Sequence, residues 1–339
     1  MLNPKLTFFC ELETDALEAL FADPQVLGDL QALGAGVALA LRDLSAERAA
    51  IVRRLNAADV PVTAWLLLPE EQGYWFNMDN APQAIAVYGD FMAWSAAEDL
   101  QWAGVGLDIE PDMRAIARAF AGDRRVLWEM VRRALDGDRF RRAQLFYRRL
   151  VARIRADDFS VEAYVIPFML DERRVGATLL QRLFGLLDLD VDRDVLMLYT
   201  SFMRPNGPGL LWSYAPEADS VAVGSTGGGV TVGGVDQIKP LTWDEFARDL
   251  RLAYHWSDAI HVFSLEGAVK QGFLSRLRGF DWAHAQPTPL RQFEKVQRAR
   301  RVGRAVLWAS AHPAWLLAAL GGIAGLMFGL WRYAPRRRR

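Results

Sequence analysis

Short apolar runs alternate with longer helical patterns along most of this chain, and no other feature restricts its fold so tightly. The runs are Leu6 to Leu12, Gly36 to Leu41, Val62 to Leu68, Val105 to Glu110, Val161 to Ile166, Val195 to Thr200, Ser220 to Gly224 and Ile260 to Leu265. Such alternation builds parallel strands joined by crossover helices. Eight strands within about 265 residues is the repertoire of a (β/α)8 barrel, the TIM barrel; an open doubly wound sheet uses the same units, because strand count alone does not show closure. Helical patterns fall between the runs at Ser45 to Ala57, with a serine placed to cap it, at Pro82 to Leu100 and at Thr242 to Tyr254. A last helix from Ala268 to Leu277 closes the barrel near Asp281, so residues 1–284 form the expected domain. With 339 residues and 52% hydrophobic content the chain can bury one large core, which excludes a disordered protein.

The fourth run carries the sharpest chemistry, Gly104-Val-Gly-Leu-Asp-Ile-Glu-Pro111. On a strand, Val105, Leu107 and Ile109 point one way and Gly104, Gly106, Asp108 and Glu110 the other. Two carboxylates at the end of a buried strand are costly without a purpose, because each must shift its pKa or find a partner. In a barrel they sit where chemistry sits, at the C-terminal ends of the strands. Glu110 then reads as a general acid and Asp108 as the group that tunes it.

These residues carry a resemblance. Residues 103–110, Ala-Gly-Val-Gly-Leu-Asp-Ile-Glu, are similar to the strand-four signature Asp-Gly-x-Asp-x-Asp-x-Glu of the chitinase-type (family 18) glycoside hydrolases, with Ala103 and Gly106 where the family has aspartates. Met197-Leu-Tyr-Thr200 resembles the family's Met-x-Tyr-Asp, with Thr200 in place of the aspartate. The resemblance implies a barrel that cleaves or transfers glycosidic bonds, with Glu110 as acid and Tyr199 touching the substrate. The same departures admit a barrel without catalysis that binds a glycan or a protein partner. No cofactor is implied.

Other acids and rims complete the expectation. Glu13, which shares a face with Glu11, and Glu266 at the end of the last run are candidates for a second carboxylate. After the third run, Tyr74, Trp75 and Asn77 suit a sugar, whose ring face stacks on aromatics while its hydroxyls bond amides; the rival reading folds these aromatics back onto the outer helices. Arg204 and Trp212 after the sixth run would add to the same rim. Gly224 to Gly234 lacks the Gly-Lys-Ser/Thr of a phosphate loop and reads as a flexible connection, a lid over the mouth. His255, His261, His284 and His312 do not pair at zinc spacing. An oxygen-only cluster of Glu13, Asp108, Glu110 and Glu266 would instead suit a hard cation, as in a metal-dependent phosphodiesterase-type barrel. The single cysteine, Cys10, excludes an internal disulfide framework and is a poor nucleophile candidate.

The fourth unit is oversized, and residues 112–156 hold arginines from Arg124 to Arg155. They read first as the solvated face of outer helices and second as a patch lying on anionic lipid headgroups. Trp128, Phe140, Phe146 and Tyr147 read as helix-core positions, which argues against nucleic acid. Residues 285–313 form a basic linker or juxtamembrane helix. Residues 314–331 contain no charge, are flanked by Trp308, Trp315, Trp331 and Tyr333, and read as a transmembrane helix ahead of the arginine-rich 332–339. Gly321, Gly325 and Gly329 repeat every fourth residue, a spacing that suits a homodimer of such helices. With no export signal at its start, the barrel is expected on the cytoplasmic side by default.

Overall fold

The computed structural model describes residues 3–229 and 239–312. Eight parallel strands close into a barrel in sequence order: β1 (Lys5–Cys10), β2 (Gly36–Leu41), β3 (Val62–Leu66), β4 (Gly104–Asp108), β5 (Val161–Val165), β6 (Arg193–Met197), β7 (Ser220–Gly224) and β8 (Ala259–Phe263). β8 pairs with β1 from Lys5–Ala259 to Phe9–Phe263, so the sheet has no open edge and the doubly wound alternative is set aside. The helices are α1 (Thr14–Ala22), α2 (Pro24–Leu33), α3 (Ala46–Ala57), α4 (Ala81–Ala97), α5 (Met113–Phe120), α6 (Arg125–Ala134), α7 (Gly137–Ala156), α8 (Phe168–Val175), α9 (Leu179–Phe184), α10 (Gly207–Tyr214), α11 (Trp243–Tyr254), α12 (Leu265–Lys270), α13 (Phe273–Leu277) and α14 (Leu290–Ala311). Helix starts follow local chemistry. The Ser45 hydroxyl accepts the Arg48 N–H at 3.2 Å, and Thr242 with Glu245 forms a capping box on α11. The expected last barrel helix is two, α12 and α13, separated by Gly272 at φ +67°, a conformation that glycine adopts at little cost.

Two cores result from the alternation along the strands. Val105, Leu107 and Ile109 face the helix layer with Phe91, Tyr147 and Leu150. The barrel interior is packed by Phe9, Trp65, Tyr164, Val195 and Ala222. Phe9 meets Tyr164 edge to face with ring centres 4.8 Å apart and Trp65 at 5.3 Å. Gly106 makes this possible, because a Cβ there would lie 2.1 Å from the Tyr164 hydroxyl oxygen.

The oversized fourth unit is three helices, α5 to α7. Its arginines partly bear out the surface reading: Arg139 binds Asp79 at 2.6 Å, and Arg118 binds Asp123 and Glu129. Tyr147 is buried and Phe140 and Phe146 partly so, but Trp128 is 72% exposed, against the core position expected for it. The segment expected as a linker or juxtamembrane helix is the long α14, packed along α8 and α10. Its Arg300 is buried, bonds Asp171 through Nε and Nη2 at 3.0 and 2.9 Å, reaches Glu217 at 2.9 Å, and lies over the Tyr214 ring at 3.6 Å. The folded unit therefore continues to residue 311. The apolar stretch 314–331 and its glycines lie outside the described residues; among the described residues no helix is long and apolar enough to cross a membrane.

Two stability outcomes follow from this packing. Gly106→Ala must displace Tyr164 and should cost about 1–3 kcal/mol in urea unfolding, whereas Gly28→Ala, with open space around its Cβ inside α2, should gain about 0.5–1 kcal/mol. Arg300→Ala leaves Asp171 buried without its partner and should cost about 3–5 kcal/mol by the same measurement.

Candidate active site

The end of β4 is fixed by the loop after β3. The Phe76 N–H donates to the Asp108 carbonyl and the Glu110 N–H to the Phe76 carbonyl, both at 3.0 Å, so Phe76 and Ile109 extend the sheet by one bridge. That bridge carries Glu110 beyond the last strand residue in a fixed direction. Asp108 is buried, and its Oδ1 has no hydrogen-bond partner among the described residues. Burial first, then the negative charges of Glu110 and Glu11, push Asp108 well above the ordinary carboxylate range, while the nearby Trp65 indole acts in the opposite direction. Glu110, partly open to the mouth, is pushed up to about 7 by dense surroundings, with its hydrogen bond to Asp108 holding it down. Two carboxyl groups that act on each other at this range titrate together, and burial raises both.

Around the pair stand groups from five other strand ends. Tyr199, just past β6, is partly buried and packs on Phe263 of β8 at 5.4 Å; burial and then the charges of Asp108, Glu110 and Glu11 push its phenol up. Tyr164 on β5 is likewise raised by burial, and its hydroxyl and the Trp65 Nε1 on β3 have no hydrogen-bond partner among the described residues. Glu11, one residue past β1, is buried and accepts the Tyr74 hydroxyl at 2.7 Å, while Arg42 donates to the same hydroxyl oxygen at 3.0 Å. Glu266 beyond β8 is raised by burial and accepts the Gly229 N–H at 3.1 Å. Gly227, Gly228 and Gly229 all have positive φ, and a Cβ on Gly229 would lie 2.9 Å from Glu11 Oε2. The described part of the glycine-rich connection thus lies directly over Glu11 and Glu266; residues 230–238 lie outside the described set.

The residues singled out in the sequence divide into two groups. Asp108, Glu110, Tyr199, Tyr74, Trp75 and Glu266 belong to the mouth or to the interior cluster beneath it. Glu13 does not: β1 ends at Cys10, the chain turns, and Glu13 becomes the exposed residue before α1, paired with Arg42. Glu11 takes the inward place. Asn77 is turned into its own loop, where its Oδ1 accepts the Asp79 N–H at 2.9 Å. Arg204 is occupied by Glu245 at 2.8 Å and by the carbonyls of Lys239 and Pro240, so it ties two loops together. Trp212 stacks on His255 at 4.9 Å and lines a cavity with Asn3 and Trp282, at the end of the barrel where strands begin. Thr200 also points away, donating its hydroxyl to the buried Asp249 of α11. Glu11, Trp65 and Tyr164 were not expected; the aromatics were legible as interior only once the register with Gly106 was known. Among the described residues no group of three or more His, Cys, Asp or Glu side chains is arranged to hold a metal ion. Cys10 is buried with its thiol pushed up by burial, which fits its reading as inert.

Comparison with known proteins places this architecture. No family model and no curated protein matches the sequence. Among solved structures, the PgaB (BpsB) glycoside hydrolase domain from Bordetella bronchiseptica aligns over 82% of this chain and 98% of its own, with 10% identity and a TM-score of 0.51. A GH18 chitinase from Pseudoalteromonas aurantia aligns over 80% and 98%, with 10% identity and a TM-score of 0.47. An L-ribulose 3-epimerase aligns over 89% and 98%, with 11% identity and a TM-score of 0.44. The first alignment bears on the fold alone: the chain is a (β/α)8 barrel, as the closed eight-stranded sheet shows.

The sign of the pH effect is set by the raised carboxyls. Both states are protonated in acid; as pH rises through the unfolded values the unfolded chain releases protons that the folded pair retains, so stability falls until the folded pair ionises near neutrality. Glu110→Gln removes this penalty. Urea unfolding should find the variant more stable than the parent by on the order of 2 kcal/mol at about pH 8, and nearly equal to it at about pH 4.

Proposed function

We propose that this barrel cleaves or transfers a glycosidic bond, with Glu110 as the general acid. What supports the reading is the pair Asp108 and Glu110 at the C-terminal end of β4, whose carboxyls burial pushes up. Glu110 gives its proton to the leaving oxygen as the bond to the anomeric carbon breaks, so the alcohol leaves neutral; the Glu110 carboxylate then faces the positive charge developing on the sugar, and Asp108 tunes its acidity. The phenol of Tyr199 and the unpartnered Asp108 Oδ1, Trp65 Nε1 and Tyr164 hydroxyl offer donors and acceptors to a polar substrate. In this reading Glu11 or Glu266 would serve as the second carboxylate, as nucleophile or as base for water. An apolar, uncharged stretch at 314–331 anchors the protein in this proposal.

A second reading has its own support. Gly106 and Ala103 stand where the resembling family has aspartates, and the Tyr164 hydroxyl fills the room that a side chain at 106 would need. A barrel altered there can hold a glycan without cleaving it.

Chito-oligosaccharides separate the two readings. Under the catalytic reading the parent releases shorter sugars, Glu110→Gln lowers kcat by at least about 100-fold, and the parent's rate falls as pH rises past the point where the pair loses its proton. Intact oligosaccharide bound at unchanged affinity by parent and variant, with no product from either, would establish the binding protein instead.

A further inference from the structure

The α5–α6 insert presents an apolar surface that the rest of the described chain leaves uncovered. On α6, Val126 and Ala134 pack inward, while Leu127, Val131 and Leu135 lie one turn apart on the outward side with Trp128 beside them. Their exposures are 62%, 44%, 79% and 72%, and Phe120 at the end of α5 adds a side chain 62% exposed. Single exposed apolar residues need no explanation, but four along one helix face, with Phe120 exposed nearby in sequence, are of the kind that marks an interaction surface.

The border of the patch says what covers it. Arg124, Arg125 and Arg132 are exposed around it, and none of the three side chains holds an ion pair among the described residues. Of the acids nearest in sequence, Asp123 and Glu129 are both engaged by Arg118, and Asp136 caps α7 by accepting the Arg139 N–H at 2.9 Å. An outward face of leucine, valine, tryptophan and phenylalanine edged by unpaired arginines is the composition of a helix that lies in the headgroup layer of an anionic bilayer, apolar side chains in the acyl boundary and guanidinium groups on phosphates. The chain itself points to the same partner. Helix α9 packs against both α6 and α14, so the insert and the helix leading to the apolar stretch 314–331 share a neighbour on one side of the barrel.

We infer that α6 is an interfacial membrane-docking helix that seats one side of the barrel on an anionic lipid surface through Leu127, Trp128, Val131 and Leu135. This does not depend on the catalytic reading. Docking through an insert that follows directly on Glu110 sets the height and tilt of the mouth above the lipid.

The chain supplies a clean probe, since Cys10 is its one cysteine and is buried. A polarity-sensitive fluorophore is attached to Leu127→Cys, or to Ser275→Cys on the exposed side of α13 as reference, in the full chain. Each is reconstituted into vesicles of phosphatidylcholine alone or mixed with phosphatidylglycerol, with and without a lipid-borne quencher. The expected result is a blue shift and quenching at position 127 in the anionic vesicles only, absent at 275, with the docked-to-undocked ratio about fivefold lower for each of Arg124→Gln, Arg125→Gln and Arg132→Gln. No quenching at 127 in protein that has entered the vesicles overturns the proposal. So does a blue shift before lipid is added: one that disappears on dilution assigns the face to a second copy, and one that persists assigns it to the chain's own remaining segments.

Discussion

The seating of the Tyr164 hydroxyl over Gly106 is the contact on which the interior of this barrel depends. With a Cβ at 106 the phenol must leave, and with it goes the edge-to-face packing with Phe9 and Trp65 that fills the barrel across β1, β3 and β5. Those three rings are the floor of the mouth. They exclude water from beneath Asp108, and desolvation is the leading cause of its raised pKa. Below them the interior changes to a polar plug, where the Ser220 hydroxyl and His261 Nδ1 lie 2.9 Å apart and Glu162 accepts Arg193 at 3.0 Å. An apolar layer between two polar ones separates the reactive pair from the far end of the barrel.

What could be read in the sequence was whatever a two-residue period or a cap decides locally. All eight strands were legible because each is a short apolar run, and Gly36–Leu41 and Ser220–Gly224 match their runs to the residue. Strand ends were less legible, and the cost of misjudging one is a side chain on the wrong face. Alternation puts Glu11 and Glu13 together only if β1 runs on past Cys10; it does not, and the inward acid is Glu11. At β6, by contrast, the alternation runs on past Met197, so Val195, Met197 and Tyr199 face the interior and Thr200 faces outward onto Asp249.

Long-range partners were not legible at all. Arg300 sits in a run that reads as basic linker, and what makes it a core residue is Asp171, 129 positions away. Trp128 failed in the other direction. Its neighbours Val126 and Ala134 set the buried side of α6, and helical spacing alone does not say which of two apolar stripes faces the barrel. A helix apolar on both sides therefore reads as a core helix in sequence and becomes a surface feature only when its packing is known.

The balance between the catalytic and the binding readings turns on what the Asp108–Glu110 pair costs. A site that only holds a sugar gains most from polar groups that are already satisfied or exposed, because each buried, unpartnered atom weakens the fold without improving discrimination. Here the Asp108 Oδ1, the Trp65 Nε1 and the Tyr164 hydroxyl are all buried without partners around a carboxyl pair whose ionisation is resisted by burial. A retained proton has no evident use in holding a neutral glycan, whereas proton donation to a leaving oxygen requires a carboxyl that is still protonated at working pH. Three of the buried unpartnered atoms, on β3, β4 and β5, gather around the carboxyl pair, and such a gathering is where a fold departs from its own stability rules for function. With Ala103 and Gly106 where the resembling family has aspartates, the pair rests on an aromatic floor, and in the catalytic reading Glu110 is still the donor.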